Sequence, residues 1–260
     1  MKQQIKKQII TIEKEYNVKI LYACESGSRA WGFASKDSDW DVRFLYLHPP
    51  SWYLSVDLET KRDVIELPID NDLDFSGWDL RKALKLFYKS NPPFIEWLHS
   101  PIIYRDQAGL ADCLRSMLPQ FYSPRSCFYH YLHMAKRNYR KFLKGDIVWL
   151  KKYLYVLRPV LALQWMEQST KPVPVRFNDL LDTTLPTGAT RRAIDQLLLM
   201  KKQGMESKHG PAIPAINAFL DAELLRLEAM VGSQVTIQTS IDSLNELFRE
   251  MLSGVWRKDK

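Results

Sequence analysis

Residues 24–44, CESGSRAWGFASKDSDWDVRF, place a Gly-Ser turn about ten residues before an Asp-x-Asp pair that leads into an apolar run. Residues 18–24, VKILYAC, are β-branched and aromatic, which predicts a buried strand. Residues 40–47, WDVRFLYL, predict a second strand of the same kind. Between them, residues 28–33 predict a short helix that opens at Ser28.

The acidic residues of this stretch have a chemical interpretation. Side chains alternate along a strand, so we expect Asp39 and Asp41 to project from one face. Two neighbouring carboxylates repel each other unless a cation lies between them, and Mg²⁺ binds through one or two carboxylates plus substrate phosphates. Ser28 at a helix start favours an anion, and Gly27 lets the backbone approach it. The combination indicates a metal and nucleoside triphosphate site; the alternative is an ordinary surface loop.

The rest of the chain divides into two parts. Before about residue 105, strand and helix patterns alternate, with a further strand predicted at 63–69. From about Arg125 onward the patterns are helical. The predicted helices span 4–15, 78–89, 94–100, 126–143, 147–168, 189–203, 212–230 and 239–252. We therefore expect an α+β domain followed by a helical domain, with a boundary between 105 and 125.

Composition bounds the class of protein. Hydrophobic residues make up 46% and charged residues 26% of 260 residues, as in ordinary globular proteins. No apolar stretch is long enough to span a bilayer, and the first residues lack the apolar core of a signal peptide. The three cysteines, Cys24, Cys113 and Cys127, are far apart and show no zinc-binding spacing. These features predict a cytoplasmic protein with no membrane partner.

Basic residues concentrate in one region of a chain whose net charge is +7. Residues 136–152 hold seven Lys or Arg and one Asp. The segment 129–141, YHYLHMAKRNYRK, interleaves tyrosines with cations, a mixture that suits base stacking and backbone contact with nucleic acid. The relevant residues are Tyr129, Tyr131, Lys136, Arg137, Tyr139 and Arg140. The alternative is a solvated helix face whose tyrosines pack in the core.

Two motifs resemble a known superfamily. Gly27-Ser28-Arg29-Ala30-x-Gly32 and Ser38-Asp39-x-Asp41-x-Arg43 are similar to the signature of DNA polymerase β-like nucleotidyltransferases. Residues 77–104, GWDLRKALKLFYKSNPPFIEWLHSPIIY, resemble one branch, the YcgL/RlaP-type predicted nucleotidyltransferases, some of which are associated with RNA ligases. The resemblance continues more loosely through 151–166. It implies a catalytic domain at 1–115, with a mixed sheet and flanking helices, and an all-helical domain at 116–260.

The resemblance also implies a reaction, in which an acceptor hydroxyl takes a nucleoside monophosphate from a nucleoside triphosphate and pyrophosphate leaves. Gly27 and Ser28 would hold the β- and γ-phosphates. Asp39 and Asp41 would ligate two Mg²⁺ ions, or Mn²⁺ ions in their place. A third catalytic and metal-binding carboxylate is expected on a following strand, and Asp74 is our choice. The alternative is Asp72; Asp70 and Glu66 are less favoured.

Four further residues are candidates for nucleotide binding. Arg43 continues the 39, 41, 43 parity and either neutralises phosphate charge or pairs with an aspartate. Arg29 either contacts phosphate or braces the loop. By the resemblance, Lys152 and Tyr155 would contact the triphosphate and the base; the alternative is the rim of an amphipathic helix.

The acceptor stays open at this point. The basic helices and the RNA-ligase association of the branch favour RNA over a protein or a small molecule. The alternative functions are a catalytically weak, antitoxin-like regulatory module that binds nucleotide, and an enzyme that nucleotidylates a protein or a small molecule such as an antibiotic.

Overall fold

The two apolar runs around the Gly-Ser turn form neighbouring strands, β1 (Lys19–Glu25) and β2 (Trp40–Leu47). They belong to a computed structural model that describes residues 1–204, 209–230 and 239–257. The strands pair antiparallel, with Cys24 opposite Arg43. A five-residue helix, α2 (Gly27–Trp31), begins at the Gly-Ser pair itself. This local order is as predicted, except that Asp39 lies just before the strand rather than in it.

The main sheet has five strands in the order β3-β4-β2-β1-β5. The additional strands are β3 (Val64–Glu66), β4 (Leu73–Asp79) and β5 (Ile103–Asp106). Strands β2 and β4 run parallel, whereas the other neighbouring pairs run antiparallel. The predicted mixed sheet is therefore confirmed.

Helices flank this sheet, and the first of them shows how they attach. Helix α1 (Lys2–Glu15) buries Ile5, Ile9 and Ile12, whose spacing of three and four residues places them on one face. These side chains join strand residues such as Val42 and Phe44 in one apolar core. The following helices are α3 (Pro50–Tyr53), a 3₁₀ turn (Leu58–Thr60), α4 (Leu80–Tyr88), α5 (Pro92–Leu98) and α6 (Leu110–Phe121).

The start of α4 corrects the predicted helix at 78–89. Trp78 and Asp79 belong to β4, and Asp79 caps the helix by accepting a hydrogen bond from the Arg81 N–H at 2.8 Å. Gly77 lies opposite Phe44 in the register of β4 with β2, and a Cβ at Gly77 would overlap the Phe44 ring. The glycine therefore admits the aromatic ring within the sheet.

The later part of the chain is mostly helical, with one correction to the prediction. Helices α7 (Pro124–Phe142), α8 (Lys151–Gln168), α9 (Phe177–Thr184), α10 (Ala189–Lys202), α11 (Pro214–Ala229) and α12 (Asp242–Val255) are present. Two short strands, β6 (Ile147–Trp149) and β7 (His209–Pro211), pair antiparallel. The predicted helix at 147–168 therefore starts at Lys151, because the residues before it form β6, and this part of the chain is not all-helical.

The chain divides into two compact units, neither of which is continuous in sequence. The first comprises Met1–Gly27, Asp39–Tyr122 and Ile237–Lys260, and the second comprises Ser28–Ser38 and Ser123–Thr236, each as far as it is described. The predicted boundary after residue 115 falls inside α6. Helix α12 joins the first unit, where the Phe248 ring packs edge-on against Tyr53 at 5.1 Å. A catalytic role for residues 1–115 stays a prediction.

Residues 28–38 belong to the core of the second unit. The Phe33 side chain is buried and meets the Phe177 ring edge-on at 5.4 Å. The Arg158 guanidinium lies 4.8 Å from the Trp31 ring and donates hydrogen bonds to the carbonyl oxygens of Pro174 and Val175. Aromatic packing thus fixes this segment in the second unit.

No helix among the described residues is both long enough and apolar enough to cross a membrane.

Candidate functional site

Gly27 packs directly against the Asp41 carboxylate. Strand β1 ends at Glu25, and the Ser26 N–H then donates to the Asp41 carbonyl oxygen at 2.8 Å. Gly27 has a φ of +58°, in the left-handed region that favours glycine. A Cβ at Gly27 would overlap the Asp41 carboxylate. Gly27 therefore permits both the turn and the position of the Asp41 side chain.

A buried carboxylate, Glu25, holds the backbone at Asp41, and sequence reasoning missed it. Its Oε1 accepts a hydrogen bond from the Asp41 N–H at 2.8 Å, and its Oε2 accepts one from the Tyr104 hydroxyl. Its carbonyl oxygen accepts another from the Ser100 hydroxyl at 2.6 Å. The available signal was an acid directly after a predicted buried strand, since a buried acid needs partners. Glu25 thus positions Asp41 through the main chain.

Asp41 and Asp74 lie side by side because β2 and β4 run parallel with these residues in register. The Arg43 Nη2 lies 3.1 Å from Oδ1 of Asp41 and 2.8 Å from Oδ2 of Asp74. Its Nη1 also donates to the Asp74 carbonyl oxygen at 3.0 Å. Of the two roles considered for Arg43, the structure therefore contains the ion pair. Direct contact with phosphate stays a prediction.

The other acidic candidates lie in different surroundings. Asp39 is exposed and directly precedes β2. Asp72 is exposed with a φ of +63°, and its carbonyl oxygen, rather than its side chain, accepts a hydrogen bond from Trp40. Glu66 is exposed and pairs with Arg62 at 2.5 Å. Among the described residues, Asp74 is the only candidate for the third carboxylate that pairs with Arg43, the same cation that pairs with Asp41.

The electrostatics of this group fit a hard cation. Burial raises the pKa of Asp41, the Arg43 guanidinium opposes that shift, and the negative charges of Asp74 and Asp39 add to it. The Arg43 guanidinium supplies positive charge to both the Asp41 and the Asp74 carboxylate. Carboxylate oxygens are also the ligands that Mg²⁺ prefers. Over residues 1–204, 209–230 and 239–257, no three His, Cys, Asp or Glu side chains form a ready-made metal cluster. Asp39, Asp41 and Asp74 as a joint ligand set therefore stay a prediction.

Ser28 and Arg29 begin the segment that enters the second unit. Ser28 is buried, and its carbonyl oxygen accepts a hydrogen bond from the Phe33 N–H at 3.1 Å. The Arg29 Nη2 donates to the Ser38 carbonyl oxygen at 2.5 Å, which ties the two ends of the 28–38 segment together. The bracing role considered for Arg29 is present. Phosphate binding by either residue stays a prediction.

Lys152 and Tyr155 lie on α8, in the second unit. The Lys152 Nζ lies 4.9 Å from the Tyr155 ring centroid, and Tyr155 packs edge-on against Trp31 at 5.6 Å. Burial, and next the charges of Lys151 and Lys141, lower the pKa of Lys152. The two predicted nucleotide-binding residues thus contact each other, and their role toward nucleotide stays a prediction.

The sequence matches a described protein family over nearly its full length. Residues 1–250 match RlaP, the RNA repair pathway DNA polymerase beta family. The chain belongs to this family. The resemblance stated from the two motifs is therefore confirmed, and the RlaP match extends through parts of both structural units.

Two individual proteins are similar to this member of the RlaP family. The uncharacterized protein YcgL of Bacillus subtilis (strain 168) is 43% identical over 258 residues, which cover 99% of this chain and 98% of YcgL. A nucleotidyltransferase-like protein from Exiguobacterium sibiricum 255-15, of known crystal structure, is 14% identical. That match covers 98% of this chain and 81% of the other at a TM-score of 0.32, a likeness too low to support any conclusion about the site.

Proposed function

We propose that this chain transfers a nucleoside monophosphate from a nucleoside triphosphate to an acceptor hydroxyl, with Mg²⁺ or Mn²⁺ bound at Asp39, Asp41 and Asp74. The observation that carries the proposal is the pairing of Asp41 with Asp74 across parallel strands, against the turn at Gly27. Membership of a polymerase β family supports the same class of reaction.

The proposed reaction assigns a role to each of the predicted site residues. The acceptor oxygen forms a bond to the α-phosphorus, the bond from that phosphorus to the bridging oxygen breaks, and pyrophosphate leaves. Asp74 accepts the proton of the attacking hydroxyl, while Gly27 and Ser28 hold the β- and γ-phosphates. Arg43 keeps Asp41 and Asp74 at a fixed separation through its two ion pairs. The divalent ions, when bound, stabilise the charge on the attacking and leaving oxygens.

RNA is the acceptor we propose, in a cytoplasmic pathway that includes RNA-ligase activity. The family description names an RNA repair pathway, and the basic residues of the second unit supply charge that complements a polyanion. The three widely spaced cysteines favour a reducing compartment.

Label transfer tests this function. The protein is incubated with each α-phosphate-labelled triphosphate, Mg²⁺ or Mn²⁺, and RNA carrying a free 3′-hydroxyl; we expect label on the RNA from at least one nucleotide. Asp39→Asn/Asp41→Asn is the inactive control. No labelled product from wild type, or equal labelling by this variant, would exclude the reaction, whereas label on a protein would reassign the acceptor.

A matched pair of variants tests the third carboxylate. We expect Asp74→Asn to reduce transfer by about 100-fold or more, since a positioned acid or base contributes at least that factor. Asp72→Asn removes the same charge two residues away, where the side chain is exposed, and we expect near-normal transfer. The reverse result would move the role to Asp72.

A further inference from the structure

A basic groove runs along α7 in the second unit, and the reaction steps proposed above use none of its residues; Lys152 at its edge is also a predicted nucleotide contact. Its volume is about 800 Å³, and it is open to solvent. Both charged and aromatic side chains line it. They include Tyr129, His133, Arg137, Lys141, Phe142 and Lys152. We refer to these six residues as the α7 groove.

Three exposed side chains of the groove form a line along the helix. His133, Arg137 and Lys141 are four residues apart, so they share one face and are separated by about 6 Å along the axis. In the part of the chain that the structure describes, neither Arg137 nor Lys141 forms an ion pair with an acid. Lys136, one position away on the same helix, is instead neutralised by Glu228. Arg137 and Lys141 are therefore exposed to solvent without an acidic partner among the described residues.

Lys152 adds a further cation from the neighbouring helix α8. Lys151 and Lys141 are close enough to lower its pKa, in addition to the larger effect of burial. Its Nζ lies within 5.0 Å of three aromatic ring centroids, those of Phe142 at 4.6 Å, Trp149 at 5.0 Å and Tyr155 at 4.9 Å. Like charges that packing holds together are relieved by a bound anion.

Flat rings accompany these cations. Tyr129 is half-buried at the groove and has the Arg125 guanidinium 5.9 Å from its ring centroid. The imidazole of His133 lines the same groove. Tyr131 and Tyr139, which the sequence also offered for stacking, are buried in the core and are excluded from this role. A duplex would need only the cations, whereas unpaired bases also use the rings.

We propose that the α7 groove binds single-stranded RNA, with Arg137 and Lys141 on successive phosphates and Tyr129 against a base. The choice of RNA rests on the proposed function, in which RNA is the acceptor, and on the family description. The groove then binds the acceptor strand through residues of the second unit alone.

Fluorescence anisotropy with a labelled single-stranded RNA of roughly 12 nucleotides tests the assignment without requiring any catalysis. We expect Arg137→Ala/Lys141→Ala to weaken binding about tenfold or more, because each charged contact is lost with its counterion release. The slope of log affinity against log salt should fall by about 1.4, from two contacts at roughly 0.7 each.

Two comparisons sharpen the experiment. Lys6→Ala/Lys7→Ala removes the same charge from exposed positions on α1, and we expect unchanged binding. Tyr129→Ala should weaken binding about fivefold or more with an unchanged salt slope, since stacking releases no counterions. Equal losses in the two double variants, or full binding by Tyr129→Ala, would overturn the assignment.

Further outcomes separate this proposal from the proposed function. Asp39→Asn/Asp41→Asn should bind RNA like wild type. If wild type binds RNA but transfers no nucleotide, the proposed transferase function is wrong and the RNA-binding role of the α7 groove still holds. If Arg137→Ala/Lys141→Ala transfers nucleotide to RNA as well as wild type does, the RNA-binding role of the α7 groove is wrong and the transferase function still holds. Displacement of the RNA by free triphosphate from the α7 groove, or preference for duplex RNA, would also overturn the assignment.

Discussion

Replacing Gly27 with alanine tests whether the turn backbone sets the position of the Asp41 carboxylate. Gly27 has a φ of +58°, where an L side chain costs roughly 1–2 kcal/mol. The added Cβ would also lie 2.9 Å from Cγ of Asp41 and closer still to one carboxylate oxygen. Displacing Asp41 to relieve this overlap adds about 1–3 kcal/mol. We therefore expect Gly27→Ala to lower the free energy of unfolding of this region by about 2–5 kcal/mol.

Gly109→Ala is the matched control for the backbone contribution. Gly109 lies in the same unit with a φ of +64°, and a Cβ there would meet nothing within 4 Å. It should cost only the roughly 1–2 kcal/mol of the left-handed conformation. The difference between the variants, about 1–3 kcal/mol, isolates the overlap with Asp41.

Hydrogen exchange of peptides from β2 measures the local opening free energy in both variants. Equal losses would refute the overlap. The transfer assay supplies an independent measurement, because a displacement of about 1 Å near reacting groups lowers rates about 100-fold. We expect that loss for Gly27→Ala and near-normal transfer for Gly109→Ala. A destabilised but fully active Gly27→Ala protein would refute the link between the turn and the carboxylate.

Three further substitutions have defined outcomes. Burial raises the pKa of Asp79 from 3.8 to about 6, so ionisation of this carboxyl disfavours the folded state. The free energy of unfolding of wild type should therefore fall by about 3 kcal/mol as pH rises from about 4 to 7. Asp79→Asn should lack that loss in urea titrations across pH. Glu25→Gln has one acceptor oxygen for the two donors that Glu25 satisfies, one of them the Asp41 N–H, and should cost about 1–3 kcal/mol by calorimetry. Gly77→Ala should lower the free energy of unfolding by about 1–3 kcal/mol, because the added Cβ overlaps the Phe44 ring.

Each of these has a contrary result. Parallel stability curves for wild type and Asp79→Asn between acid and neutral pH would show that this carboxyl does not titrate in that range. A Glu25→Gln protein as stable as wild type would mean that water or a rearranged partner replaces the lost acceptor. Unchanged stability of Gly77→Ala would show that the Phe44 ring moves aside at no cost.

Local features of this chain were predictable because they depend on neighbouring residues. The β-branched runs at 18–24 and 40–47 define β1 and β2, and the spacing of Ile5, Ile9 and Ile12 defines α1. Helix α6 was missed although it is twelve residues long; Pro119 near its end interrupts the pattern.

Features that depend on distant residues were not predictable. The role of Arg43 was open because its partner Asp74 becomes its neighbour only through the register of β2 with β4. Asp79 was assigned to a helix because nothing local shows that Gly77 must lie opposite Phe44 in the sheet. Similarly, the four-residue spacing in α7 separates two faces, but only packing decides that Tyr131 and Tyr139 belong to the buried one.

The return of α12 to the first unit has a consequence for synthesis on the ribosome. Tyr53 is translated early, whereas Phe248, against which it packs, lies close to the C-terminus. The second unit likewise takes Phe33 from a segment made long before Phe177. Domains ordinarily fold in turn as they emerge during translation. Here the last segment of the first unit is made only after residues 123–236 of the second unit, and those residues are made only after residues 39–122 of the first. Folding of the first unit is therefore completed only after nearly the whole chain has been synthesised, and until then the face of Tyr53 that Phe248 covers stays exposed.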